Sequence, residues 1–210
     1  MTEYAGRSLF IALISTALAS TVAVPLGVLL AEHEFRGKRA LVTLLNTLLG
    51  IPTVVVGLLV FSLISRSGPL GRFGLLFTVP GIIIGEVVLI FPLVTALTLS
   101  AVQRIDRDVR RTALSLGANG RQALWLVLRE ARFGAFAAII AAYGRVVGEV
   151  GVAMILGGSA DGFTRTLTTA IVLQIDMGYF DLALALGIVL FSLSFAINIM
   201  LQVLQGRGRE

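Results

Sequence analysis

Three ionisable side chains, Glu86, Arg145 and Glu149, stand inside long apolar stretches of a 210-residue chain. A charge at such a position costs about 2.5–3.5 kcal/mol on insertion scales, so each needs a partner or water. Arg145 and Glu149 are four apart, which puts them on one helix face and within reach of each other as an intramembrane ion pair. That pairing is preferred to direct contact with a bound anion, because a neutralised arginine is a poor anion ligand. Glu86 has no charged residue three or four positions away and is expected to face water or another helix. A second group, Thr164, Arg165, Thr166, Thr168 and Thr169, combines hydroxyl donors with one positive charge. This chemistry suits a dianionic tetrahedral oxyanion held loosely; the competing reading is a polar loop that caps the next helix.

Enzymatic chemistry has little to work with. The single histidine, His33, sits among charged residues and is most simply solvated, and neither H-E-x-x-H nor G-x-S-x-G occurs. There are no cysteines, which removes disulfides, thiolate metal sites and cysteine nucleophiles. No G-x-x-x-x-G-K-[ST] is present to cradle nucleotide phosphates. No catalytic residue, cofactor or metal site is therefore expected.

The elements that must position these residues are membrane helices. Hydrophobic residues make up 57% of the chain and charged ones 14%, with a mean hydropathy of +0.95, too apolar for an ordinary soluble surface. The apolar residues fall into blocks near 8–31, 40–65, 77–102, 133–156 and 182–203. Each reaches the roughly 20 residues a helix needs to cross the hydrocarbon core. The expected fold is an all-α integral membrane protein of five transmembrane helices, one domain over 1–210. A secretory signal around Ala17-Leu18-Ala19 is the weaker reading, since Glu3 precedes the run and the run continues to Leu30. Four prolines, Pro25, Pro52, Pro80 and Pro92, fall in the blocks and are expected as kinks. Gly144, Gly148 and Gly151 read first as close helix contacts.

Lys and Arg placement sets the orientation. With the amino end outside and the carboxyl end inside, the inner segments hold Arg36, Lys38, Arg39, Arg104, Arg107, Arg110, Arg111, Arg121, Arg129, Arg132, Arg207 and Arg209. The outer segments hold only Arg7, Arg66, Arg72 and Arg165. The net charge of +5 is thus topological, and nucleic acid is not an expected partner.

The loop over 103–132, between the third and fourth spans, reads as two short helices with a break. Asp106 and Asn119 are the expected caps, Gly117 the stop, and Ala123, Leu124, Val127 and Leu128 an apolar stripe. Such a pair either lies on anionic lipid or docks on a partner.

TALSLGANGRQALWLVL within this loop resembles the cytoplasmic signature of ABC importer permeases. Ala113 matches its second alanine, Leu116-Gly117-Ala118 its core, and Leu124 and Val127 its later apolar positions. Arg111, Thr112 and Glu130 depart from the usual Glu, Ala and Pro. IPTVVVGLLV from Ile51 is similar to a stretch of molybdate, sulfate and tungstate permeases. GRVVGEVGVAMILGG from Gly144 and TRTLTTAIVLQIDMG from Thr164 resemble the tungstate branch.

The resemblance implies a type I permease of a bacterial or archaeal inner membrane that pairs with a second copy. It also implies an extracytoplasmic oxyanion-binding protein, two cytoplasmic ATPase subunits that carry ATP hydrolysis, and surrounding membrane lipid. Ala113, Leu116, Gly117, Ala118, Leu124 and Val127 would couple to the ATPase. Gly148, Glu149, Thr166, Thr168 and Thr169 would form the translocation pathway or its gate, with Glu149 orienting the break near Gly148 and Gly151. Tungstate is the expected cargo, with molybdate or sulfate as alternatives. A secondary transporter is the rival class, opposed by five spans that do not split into matched halves.

Overall fold

The computed structural model describes residues 2–105 and 107–207. Asp106, expected to cap a loop helix, lies outside them. The described residues form helices joined by turns and short irregular segments, without strands. In chain order the helices are α1 (Thr2–Glu32), α2 (Lys38–Leu48), α3 (Thr53–Ile64), α4 (Val79–Gln103), α5 (Arg107–Ser115), α6 (Gly120–Val147), α7 (Gly151–Gly157), α8 (Leu167–Asp176) and α9 (Phe180–Arg207). A 3-10 turn at Gly71–Phe73 joins them. Among the described residues α1, α4 and α9 are long and apolar enough to cross a membrane unbroken; counting two bent pairs, α2–α3 and α6–α7, as spans raises the number to 5.

The second and fourth apolar blocks are therefore not continuous helices. Between α2 and α3 the axis turns by 105°. Pro52 is the cause: it has no N–H to continue the ladder of α2, and its carbonyl instead starts α3 by accepting from Val55 N at 2.9 Å. Between α6 and α7 the axis turns by 58° across Gly148–Val150. Of the four prolines expected as kinks, only Pro25 and Pro92 lie inside helices. Pro80 occupies the first turn of α4, where a missing N–H costs nothing, behind a Thr78 side chain that accepts from Gly81 N at 3.2 Å.

The centre of the bundle is α4, which packs against α1, α2, α3, α6 and α7. It runs parallel to α1 in a regular register. Ile11 clusters with Ile82, Ala19 and Ala23 with Ile90 and Val94, and Gly27 abuts Thr95 and Thr98. Small residues on α1 make this approach possible: a Cβ added to Gly27 would stand 2.8 Å from the Thr95 carbonyl oxygen. On the other side, Val152 and Leu156 of α7 pack on Val60 and Ile64 of α3.

The loop between the third and fourth blocks also differs from expectation. Its first helix, α5, ends as read: Gly117 is left-handed at φ 90°, and the amides of Gly117 and Ala118 return to the carbonyls of Leu114 and Ala113. The second is not short. It begins at Asn119, whose side chain and that of Gln122 form a reciprocal capping box, and continues for 28 residues as α6.

Candidate functional site

The two breaks meet. α7 starts against the start of α3, so that a Cβ on Gly151 would lie 2.7 Å from Thr53 Oγ1 and 3.1 Å from Val54 N. Of the three glycines expected as close helix contacts, only Gly151 is tight. The nearest neighbour of Gly144 is Asn198 Nδ2 at 3.9 Å, and Gly148 meets only a carbonyl of its own helix. The stretches beginning at Ile51 and Gly144 thus occupy adjoining places where helices are interrupted.

Glu149 holds the second break together. It is 4% exposed, and its Oε1 accepts from Gly151 N at 2.8 Å and from Val152 N at 3.4 Å, capping α7. A carboxylate there also faces the positive end of the helix dipole. Its backbone carbonyl accepts the Thr168 hydroxyl at 2.7 Å, which ties the break to α8. Arg145 Nη1 stands 3.8 Å from Glu149 Oε2, but the arginine side chain remains 46% exposed against 3% for the glutamate. This is a long, one-sided ion pair that leaves the guanidinium available on the surface.

The threonine-rich segment turns inward. Thr164, Thr166, Thr168 and Thr169 are all buried. Thr166 and Thr169 form a capping box at the start of α8, and Thr166 and Thr168 share a hydrogen bond at 2.9 Å. These hydroxyls hold the fold and present no open donor array, the arrangement of a helix-capping loop. Arg165 likewise works within the segment, donating from Nε to the Ser159 carbonyl at 3.2 Å and pairing with Asp161 at 3.2 Å. The start of α1 is fastened to the same segment. Arg7 donates to the carbonyls of Arg165 (2.9 Å) and Gly162 (2.8 Å), and the Tyr4 hydroxyl donates to Asp161 at 2.7 Å. The Tyr4 hydrogen bond is the main reason the Asp161 carboxyl titrates below its ordinary range, aided by Arg165, the Gly162 amide and Arg7.

Sequence reasoning did not find the surroundings of Glu86. It is 1% exposed, and its Oε2 has no hydrogen-bond partner. It lines a cavity of about 10 Å³ together with Ser8, Glu149, Thr166 and Thr168. The convergence arises from four separate segments; Glu149, Thr166 and Thr168 were expected at one site, and Glu86 was marked in advance only as a single charge in an apolar stretch.

At the α5–α6 corner, Leu116 is 82% exposed, with Leu114 and Trp125 also exposed. Gly117 is exposed, and Ala113 and Ala118 are half-buried. Val127 faces the other way, buried with Val102 and Ala131 against α4. The side chain of Leu124 lies outside the described residues.

Five apolar elements, two of them interrupted at one place, make an all-helical bundle of the membrane-protein kind. The fold matches that of a solved amino acid ABC transporter chain with a TM-score of 0.72 over 98% of this chain and 92% of that one, at 16% identity. The chain belongs to the binding-protein-dependent transport system inner membrane component family, which it matches over residues 23–210. It is 39% identical to a probable anion ABC transporter permease protein of Haloferax volcanii, over 91% of this chain and 84% of that protein. It is also 39% identical to the tungstate uptake system permease protein TupB of Peptoclostridium acidaminophilum, over 94% and 87% respectively. A molybdate/tungstate transport system permease protein of Pyrococcus furiosus is 28% identical, over 99% and 80%. The protein is a membrane permease of an ABC importer.

Proposed function

We propose that this chain forms half of the translocation pathway of a tungstate importer, and that the pathway face is the one carrying Arg145. The observation that carries this is the exposure of Arg145, 46% of its side chain, one turn before the α6–α7 break. A guanidinium held against lipid at that depth is costly, whereas facing a watery passage it is not, and its sign suits an anion. Tungstate is favoured over molybdate and sulfate by the identity to tungstate uptake permeases of Peptoclostridium acidaminophilum and Campylobacter jejuni, 39% and 40%.

In this reading the whole of 1–210 is one permease domain that crosses the membrane five times, amino end outside and carboxyl end inside. A second copy supplies the other wall. An extracytoplasmic binding protein delivers the oxyanion, and two separate ATPase subunits drive the cycle. They dock at the α5–α6 corner, where Leu116, Gly117, Ala118 and Ala113 form the contact; buried Val127 supports it from behind. Gly148 and Glu149 form the hinge of the gate. Thr166, Thr168 and Thr169 fix its geometry and do not grip the cargo.

Reconstituted permease, ATPase and binding protein test this. Tungstate-loaded binding protein should stimulate ATP hydrolysis and tungsten uptake, and Arg145→Gln should cut uptake while the complex still assembles. Equal uptake in Arg145→Gln removes the arginine from the pathway. Stimulation by sulfate-loaded and not by tungstate-loaded binding protein reassigns the cargo. Transport by permease alone on an ion gradient sinks the importer reading.

A further inference from the structure

We propose that the bundle interior beside the α6–α7 break binds a monovalent cation, sodium in the first instance, between Glu86 and the end of α6. Glu86 is removed from water, at 1% exposure, with Oε2 unpartnered. A carboxylate so placed is strongly unfavourable unless something neutralises it. The α1–α4 register puts Ser15 level with it, and the Ser15 hydroxyl is also fully buried without a partner.

The cavity that Glu86 faces has a volume of about 10 Å³. That is room for a single water-sized guest. Its walls offer acceptors. The Thr168 hydroxyl donates to the Glu149 carbonyl, and the Thr166 hydroxyl donates within the threonine cluster, while Thr166 Oγ1 accepts the Thr169 amide and Thr168 Oγ1 faces Thr166, so each oxygen keeps one lone pair. Ser8 Oγ already receives the Leu167 amide at 2.9 Å. Val146 and Val147, the last residues of α6, also line it with Ile11, Ile82 and Ala153; the Val146 carbonyl accepts Glu149 N at 3.0 Å, and the carbonyl end of a helix carries partial negative charge. Interrupted membrane helices elsewhere use the C-terminal ends of half-helices to hold sodium or protons.

Charge decides the class of ligand. Glu86 and Glu149 stand against one guanidinium, that of Arg145, which is half in solvent. With Glu86 ionised the interior is short of one positive charge, which a cation or a proton supplies and an oxyanion does not. A divalent ion fits less well: Glu149 is already committed to Gly151 N and Arg145, and no group of three or more His, Cys, Asp or Glu forms a metal cluster among the described residues. The site shares Glu149, Thr166 and Thr168 with the proposed gate, and its test reads binding and needs no transport.

The full chain, purified into lipid nanodiscs, is melted in sodium chloride and in choline chloride at equal ionic strength. Sodium should raise Tm saturably, and radioactive sodium should bind stoichiometrically. Glu86→Gln should lose both responses. Thr168→Val, lacking one ligand oxygen, should raise the half-saturating sodium concentration about tenfold, the equivalent of one ordinary polar contact. If Glu86→Gln does not fold, wild type and Thr168→Val still decide. Identical wild-type melting in both salts with no sodium bound overturns the proposal and leaves the cavity to water or a proton. A sodium response that survives in folded Glu86→Gln overturns it equally, by placing the ion elsewhere.

Discussion

Removing the Glu149 side chain should damage the α6–α7 junction far more than removing its ionic partner. α7 has only 7 residues, and the first four amides of any helix lack an acceptor in the ladder. Glu149 Oε1 supplies one, at 2.8 Å from Gly151 N. Because Glu149 is 4% exposed, bulk water cannot replace that acceptor. Orphaning a buried amide costs about 1–3 kcal/mol, so Glu149→Ala should lose about that much. Arg145, at 3.8 Å and 46% exposed, is largely screened by solvent. Arg145→Ala leaves the Glu149 carboxylate its two amide donors and should therefore cost less than Glu149→Ala. Glu149→Gln keeps a carbonyl oxygen for the cap and loses only charge, about 1 kcal/mol or less. Denaturant titration of the purified chain in micelles gives the three values, and a double-mutant cycle isolates the pair. The reasoning fails if Arg145→Ala matches Glu149→Ala, or if Glu149→Ala is as stable as wild type. Unchanged uptake and assembly in Glu149→Gln would remove its carboxylate from any role in orienting the pathway.

Three other outcomes follow from the same contacts. Gly27→Ala pushes a Cβ to 2.8 Å from the Thr95 carbonyl, backbone that cannot swing aside, and should cost about 1–3 kcal/mol in the same titration; wild-type stability would refute the close α1–α4 approach. Leu116→Glu, at a position 82% exposed, should change stability by less than about 0.5 kcal/mol yet abolish co-purification of the ATPase; an intact complex would move the docking surface elsewhere. Asp161 has a folded-state pKa below its ordinary 3.8, so its link to α1 is in force above that pH and is lost as pH falls through the lowered value. Tyr4→Phe removes the largest cause and should shift the Asp161 carboxyl titration upward toward 3.8 in carbon-13 spectra; an unmoved titration would refute the assignment.

Block lengths made the five apolar elements legible; the break expected near Gly148 and Gly151 and the kink expected at Pro52 came from single residues, and their sharpness did not show in the blocks. Hydropathy registers composition, and the apolar run continues through Ile51 and Val150 while the backbone turns. Gly50 and Pro52 beside Ile51, and Gly148 with Gly151 around Glu149, were the only local signs. The Asn119 cap was readable because a cap is made by neighbours in sequence. The length of α6 was not: nothing between Gln122 and Phe133 breaks a helix, and Glu130 stands where the importer signature usually has proline. The threonines, with Arg165 among them, suited an anion by their hydroxyl donors and one positive charge, and a capping loop was the competing reading. The same Thr166–Thr169 spacing makes a capping box, and tertiary burial, invisible in one sequence, selected it. The surroundings of Glu86 come from α1, α4, α6 and α8 together, so no local pattern announces them.

The pairing of α1 with α4 also bears on biogenesis. α1 finds its most extensive neighbour in a helix whose last residue is made 71 positions later, Gln103 after Glu32. At about 5–20 residues per second, the ribosome needs about 4–14 s to close that interval. During that time α1 sits in the bilayer with Ser8, Ser15, Thr16 and Gly27 facing no permanent partner. The insertion machinery, or the lipid nearest to it, must shelter a helix surface that is designed for a neighbour not yet synthesised.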